Sequence, residues 1–164
     1  MGSTLTVDNI VGATTAANLK LPAGSVLQTV HSQISSQETT TSNSYVDSGL
    51  HATITPKYSS SKILVTASVS LYQTNNAGAA SATIKRGSTI LSPGAASYGF
   101  GYIYAASAGG HVNQIPIEFL DSPSTTSATT YRVQYSTGVG VNIGTAYISV
   151  NSTPSTITLM EISQ

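Results

Sequence analysis

From about residue 25 onward, apolar and polar residues alternate with a period of two. Between Lys62 and Tyr72, Ile63, Val65, Ala67, Val69 and Leu71 fall on one side of the chain, and Thr66, Ser68 and Ser70 on the other. Successive side chains of a strand point to opposite faces, so this pattern predicts a strand with one buried face. Tyr131, Val133 and Tyr135 alternate with Thr130, Arg132, Gln134 and Ser136 in the same way, and Leu50, Ala52 and Ile54 with His51, Thr53 and Thr55. Pro56 closes that last run, because proline cannot donate to a ladder. Further strands are predicted at Val26–Ile34, Ala80–Lys85, Ser88–Leu91, Tyr98–Ala105, His111–Asp121, Val139–Val150 and Ser155–Ile162.

Arg86-Gly87 reads as a hairpin turn, with glycine taking the positive φ. Near Gly144 the phase switches from Val139, Val141 and Ile143 to Ala146, Ile148 and Val150, as a bulge would require. Nothing shows a sustained 3.6-residue period, and the one helix candidate is Ala13–Leu21, closed by Pro22. Short strands separated by Ser/Thr/Asn/Gly clusters predict an all-β sandwich or barrel. Those clusters fall at Ser35–Ser44, Ser59–Ser61, Thr74–Gly78, Ser122–Thr130 and Asn151–Ser155. Residues 1–24 lack strong alternation and read as an arm preceding a domain over 25–164. If ordered, that arm needs a neighbouring subunit to lie against.

Composition changes the picture of the surface. The 164 residues make one domain, large enough to bury a core without staples. Only 7% are charged, against about 25% in ordinary domains, while serine and threonine make up roughly 30%. A surface of hydroxyls and amides carries no charge repulsion and suits permanent contact between subunits. The net charge of +0 provides no basic field, so nucleic acid is not an expected partner. No apolar run reaches membrane-spanning length, so no membrane is expected. The start Met1-Gly2-Ser3-Thr4-Leu5 is not expected to act as a secretory signal. With no cysteine there are no disulfides or thiolate zinc sites.

Thr4-Leu5-Thr6-Val7-Asp8-Asn9-Ile10-Val11-Gly12 is followed in order by Leu21-Pro22-Ala23-Gly24-Ser25-Val26-Leu27-Gln28 and Tyr45-Val46-Asp47-Ser48-Gly49-Leu50. Next come Ile54-Thr55-Pro56, Ser59-Ser60-Ser61-Lys62-Ile63-Leu64-Val65 and Arg86-Gly87-Ser88-Thr89. The last pieces are Phe119-Leu120-Asp121-Ser122-Pro123, Thr129-Thr130-Tyr131 and Ile157-Thr158-Leu159-Met160-Glu161-Ile162. In this order, over nearly its whole length, the chain resembles small structural proteins of tailed bacteriophages, especially those of marine and freshwater phages. The resemblance implies a virion protein of the kind often labelled tail fibre. It also implies an antiparallel jelly-roll-like β-sandwich assembling as a homotrimer. It supplies no catalytic residues.

Tyr98, Phe100, Tyr102 and Tyr104 alternate with Gly99, Gly101 and Ile103. On a regular strand all four rings project from one face, either into an oligomer interface or as a stacking platform for sugar rings. Buried packing is the preferred of the two, because apolar rows on strands are usually covered. His31, His51 and His111 lack chelating spacing and read as ordinary strand-surface histidines, so no metal or other cofactor is expected. Glu118 and Asp121 are the acids closest in sequence but face opposite sides of a strand, and there is no Gly-x-Ser-x-Gly turn, so no enzyme activity is expected. The doublet Lys85-Arg86 could meet phosphate or acidic polysaccharide, although a hairpin tip wants soluble side chains in any case. The myristoylation-like start and the sequon Asn151-Ser152-Thr153 read as chance matches in a Ser/Thr-rich chain.

The expected role is therefore mechanical and adhesive, on the virion exterior. A tail fibre or tip component would contact a host glycan or protein through the loops Thr74–Gly78, Leu91–Tyr98 and Ser122–Thr130. A capsid decoration protein would instead reach other virion proteins through Leu5, Val7, Ile10, Val11, Leu19 and Leu21 of the arm. The lack of a shaft repeat favours decoration, the family's usual label favours the fibre, and the label decides. A polysaccharide-degrading enzyme is the disfavoured third reading.

Overall fold

The computed structural model describes residues 21–74, 78–91, 98–105, 109–138 and 144–164. Residues 1–20 fall outside this range, and with them Leu5, Val7, Ile10, Val11, Leu19 and nearly all of the helix candidate. Val139, Val141 and Ile143, and so the expected phase switch, also lie outside the described residues, as do 75–77 and 92–97 of two predicted loops.

Eleven strands are present among the described residues: β1 (Val26–Ile34), β2 (Glu38–Thr40), β3 (Val46–Ile54), β4 (Lys62–Gln73), β5 (Gly78–Arg86), β6 (Thr89–Ile90), β7 (Gly101–Ala105), β8 (His111–Asp121), β9 (Thr129–Thr137), β10 (Ala146–Ile148) and β11 (Ser155–Ile162). All pair antiparallel. One edge of β4 is taken along its length by β8, so β11 and β10 share the other edge, one after the other. Beyond them β1 pairs with β11, and β2 with β10. In the second sheet β9 takes one edge of β5 while β7 and β6 share the other, and β3 pairs with β9.

When each such split strand is taken as one, the described residues form eight strands. They run first-eighth-third-sixth in one sheet and second-seventh-fourth-fifth in the other. This is the jelly-roll order, and it matches the expected fold class.

The core lies between the sheets and is the apolar phase of the alternation. Ile63, Val65, Val69 and Leu71 of β4 and Ile157 and Leu159 of β11 face Leu50 and Ile54 of β3, Ile84 of β5, and Tyr131, Val133 and Tyr135 of β9, all at most 1% exposed. Burial pushes the Tyr135 hydroxyl up to about 12, with help from the Glu38 carboxylate.

Three departures from the expected elements have local causes. The cluster Ser35–Ser44 contains β2, whose sequence Glu38-Thr39-Thr40 has no apolar residue to mark it. The predicted strand Tyr98–Ala105 begins only at Gly101, after a turn through Gly99 at φ +58. The predicted strand Val139–Val150 is, among the described residues, only Ala146–Ile148. It ends in an excursion with Ser149, Asn151 and Ser152 at positive φ. Left-handed non-glycine residues cost roughly 1–2 kcal/mol each. The excursion is stitched to the sheet by serines. The Ser149 hydroxyl bonds that of Ser155 at 3.0 Å, and Ser70 donates its N–H to Ser155 Oγ and accepts that of Ser149, both at 3.0 Å.

At the opposite end of β11, Glu161 is fully buried and has no ion pair among the described residues. Burial pushes its carboxyl up. Hydrogen bonds, including those from Gln28 Nε2 at 2.6 Å and the Lys57 N–H at 2.7 Å, outweigh that and hold it below the ordinary value.

Candidate functional site

The aromatic row does not lie on one face. Ile103 is buried at 3%, and a Cβ on Gly101 would strike the Ile115 side chain, so this phase of β7 faces the core. Tyr102 and Tyr104 therefore point outward, Tyr104 being 46% exposed. Tyr98 joins them by an edge-on contact with Tyr102 at 5.0 Å. Phe100 instead packs against the core, edge-on to Phe119 of β8 at 5.9 Å. The turn at Gly99 breaks the alternation that would have aligned all four rings. Only glycine fits there, since a Cβ would stand 2.1 Å from the Ala82 carbonyl oxygen.

A second group of side chains gathers on the outer face of the second sheet. The β5–β6 hairpin turns at Gly87-Ser88, with Gly87 at φ +55. It forms one wall of an open cleft of about 670 Å³, and the Ser122–Thr130 loop forms another. The floor is the outward phase of the sheet, where Lys85 of β5 lies directly opposite Arg132 of β9, and Arg132 lies opposite His51 of β3. Three basic residue types thus stand side by side across three strands. Like charges directly opposite one another are unfavourable.

A bulge in β3 supplies part of the compensation. Asp47 pairs in register with Gln134, yet the irregularity at Ser48-Gly49, with Gly49 at φ +78, brings its carboxylate to Arg132 at 3.1 Å. Asp47 Oδ1 also accepts the Gly49 N–H at 3.0 Å, and the Ser48 hydroxyl bonds the Val133 carbonyl at 2.7 Å. The Lys85 side chain, which also lines the cleft, forms no hydrogen bond or ion pair among the described residues.

Arg86, the neighbour of Lys85, points the other way. Its guanidinium meets Asp121 Oδ2 at 2.5 Å, and the buried Tyr131 hydroxyl donates to the same oxygen at 2.7 Å. Burial first, and then the Asp121 carboxylate, push the Tyr131 hydroxyl far above its usual range. Arg86 and Tyr131 belong to the second sheet and Asp121 to the first, so the cluster ties the sheets together behind the cleft wall.

The outer face of the first sheet is different. Met160 of β11, Leu64 of β4 and Leu120 of β8 are successive cross-strand neighbours, and Val26 pairs with Ile162 beside them. Val26 is 50% and Leu120 49% exposed. The sequence reading passed over this band, although Leu64, Leu120, Met160 and Ile162 are apolar residues on the polar phase of their strands, and that is the signal. The first described residues of the chain run past the same end: the Gly24 N–H donates to the Ser163 carbonyl at 2.8 Å, and Leu21 is exposed.

The three histidines stand on three different strands, β1, β3 and β8. His31 Nδ1 meets the Thr158 hydroxyl at 2.9 Å, and His51 Nδ1 donates to the Gly49 carbonyl at 2.9 Å. Among the described residues no cluster of His, Asp and Glu could hold a metal ion.

No protein-family model and no curated protein matches the chain. Solved structures with a related arrangement include that of infectious bursal disease virus Gt strain, at 12% identity and a TM-score of 0.37, covering 100% of this chain and 43% of that one. The VP2 subviral particle of the same virus is another, at 15% identity and a TM-score of 0.38, covering 85% of this chain and 38% of that one. The chain thus spans about two fifths of the length of these proteins.

Proposed function

We propose that the protein is a non-enzymatic structural component of the exterior of a tailed-phage virion, a tail fibre or tip subunit that assembles as a homotrimer and contacts the host surface. The observation that carries this reading is the apolar band of Val26, Ile162, Met160, Leu64 and Leu120 on a chain with only 7% charged residues. Contiguous exposed apolar surface marks a protein contact. The scarcity of like charges leaves little to oppose contact between copies. Each Å² of that apolar surface covered by a partner contributes about 25 cal/mol before association costs. The family resemblance of the sequence supports the virion setting, and the jelly roll supplies a rigid sandwich whose loops can reach outward.

Light scattering on the full chain is expected to give three times the chain mass at micromolar concentration, and Leu64→Lys with Leu120→Lys is expected to give single chains. A wild-type monomer at that concentration overturns the assembly reading.

A shell decoration protein is the second reading. The course of Leu21–Ser25 past the apolar band favours it, because a neighbour's arm and a neighbour's sheet would then share one contact. Densitometry of purified virions separates the two: hundreds of copies per particle mean a shell protein, a few dozen a tail protein.

A further inference from the structure

We infer that the cleft between the β5–β6 hairpin and the Ser122–Thr130 loop binds an anionic saccharide, with Lys85 and Arg132 holding its acidic group. This deepens the host-contact reading above and rests on it for its setting.

Three observations converge. First, the chain has six lysines and arginines in all, and three of them, Lys85, Arg86 and Arg132, border this one cleft, the Arg86 guanidinium turned behind its wall to Asp121. Such a concentration in a charge-poor chain is not what solubility requires. Second, Arg86 is neutralised by Asp121 and Arg132 by Asp47, while the Lys85 ammonium has no carboxylate partner among the described residues and faces Arg132 across the strands. A like-charge pair directly opposite across two strands weakens a sheet. A bound carboxylate, sulfate or phosphate oxygen between the two would turn that repulsion into two charge-assisted contacts.

Third, the rest of the lining suits a sugar better than a bare ion. Thr89, Thr125, Thr130 and Gln134 offer hydroxyl and amide groups that both donate and accept, and the Asp47 carboxylate accepts from sugar hydroxyls. A volume of about 670 Å³ is far more than an inorganic anion fills and falls within the ~300–1,000 Å³ of small-molecule sites. The site is built by the fold: the bulge at Ser48-Gly49 places Asp47, and the Arg86–Asp121–Tyr131 cluster fixes the hairpin wall.

Titration calorimetry on the full chain tests this with trigalacturonic acid, a sulfated heparin-derived disaccharide and neutral galactotriose as probes. Binding of at least one acidic saccharide is expected, with tenfold or greater preference over galactotriose and weakening as NaCl rises. The two acidic probes tell carboxylate from sulfate recognition. Lys85→Glu is expected to lose at least tenfold in affinity while melting at the same or a higher temperature, because it replaces a like-charge pair with an opposite one. Arg132→Gln is expected to lose affinity as well. Absence of binding by both acidic probes, equal binding of galactotriose, or full affinity in Lys85→Glu overturns the inference. Light scattering on the wild-type chain keeps the two readings apart: a wild-type trimer that binds no acidic saccharide removes the site alone, and a wild-type monomer that binds removes the assembly alone.

Discussion

Asp121 holds the two sheets together at the end of the sandwich, and its removal has a calculable cost. In Asp121→Ala the Tyr131 hydroxyl, on a residue with no exposed surface, loses its acceptor. A buried donor left unpaired costs about 1–3 kcal/mol. Arg86 loses its carboxylate at the same time. Breaking a fully buried pair costs roughly 3–5 kcal/mol. The Arg86 side chain is 27% exposed, however, and can turn its guanidinium to water, so only a fraction of that applies. The total is about 2–4 kcal/mol. For a chain of this length roughly 2–4 °C is lost per kcal/mol, so melting falls by roughly 5–15 °C.

Urea denaturation followed by circular dichroism checks this, with the midpoint falling and the slope unchanged. Tyr131→Phe alone is expected to cost only about 1 kcal/mol, since Asp121 keeps Arg86. In the double variant the orphaned hydroxyl no longer exists, so its cost falls below the sum of the two single costs by about 1 kcal/mol or more. An Asp121→Ala variant within about 0.5 kcal/mol of wild type, or strict additivity, would refute the argument that one carboxylate oxygen serves both sheets.

Glu161 predicts an acid-sensitive limb. Its folded-state pKa lies below the unfolded value, so its contribution is present above the ordinary glutamate range and is lost as pH falls through the folded pKa. Urea midpoints from pH 7 down to pH 3 should fall more steeply in wild type than in Glu161→Gln, which should already be less stable at pH 7. Gly99→Ala and Gly49→Ala separate backbone strain from collision: both sit at positive φ, but only at Gly99 would the new Cβ collide, 2.1 Å from the Ala82 carbonyl oxygen and 2.7 Å from the Tyr45 hydroxyl, whereas at Gly49 it meets nothing within 4 Å. Gly49→Ala is expected to cost about 1 kcal/mol by thermal melting, and Gly99→Ala clearly more, with displacement of the Tyr98–Tyr102 contact. Equal melting temperatures for the two variants would contradict this.

The strands were legible wherever one face is apolar and the other hydroxylic. Val26–Ile34, His111–Asp121 and Ser155–Ile162 have the expected bounds, and Lys62–Gln73 runs one residue past the expected end. In Lys62–Gln73, as in the alternating parts of β3 and β9, the inward phase is the phase read from the alternation, because a strand repeats every two residues and a one-residue error would put the leucines and isoleucines of that face in water. β2 escaped notice because what makes it a strand is pairing with β10, over a hundred residues away, not its own side chains. The aromatic row was misjudged for a related reason: alternation holds only while the backbone stays extended, and Gly99 ends it.

The sequence by itself therefore determined the all-β class, the buried face of the alternating strands β3, β4 and β9, and the scarcity of charge. All three follow from local periodicity and composition. Only the tertiary structure decided which residues meet. Asp47, Lys85 and Arg132 come from three strands, Arg86, Asp121 and Tyr131 from both sheets, and Val26, Leu64, Leu120 and Met160 from four strands. Such groupings depend on strand order and register, which are set by long-range pairing and bulges and leave no mark at short range along the chain.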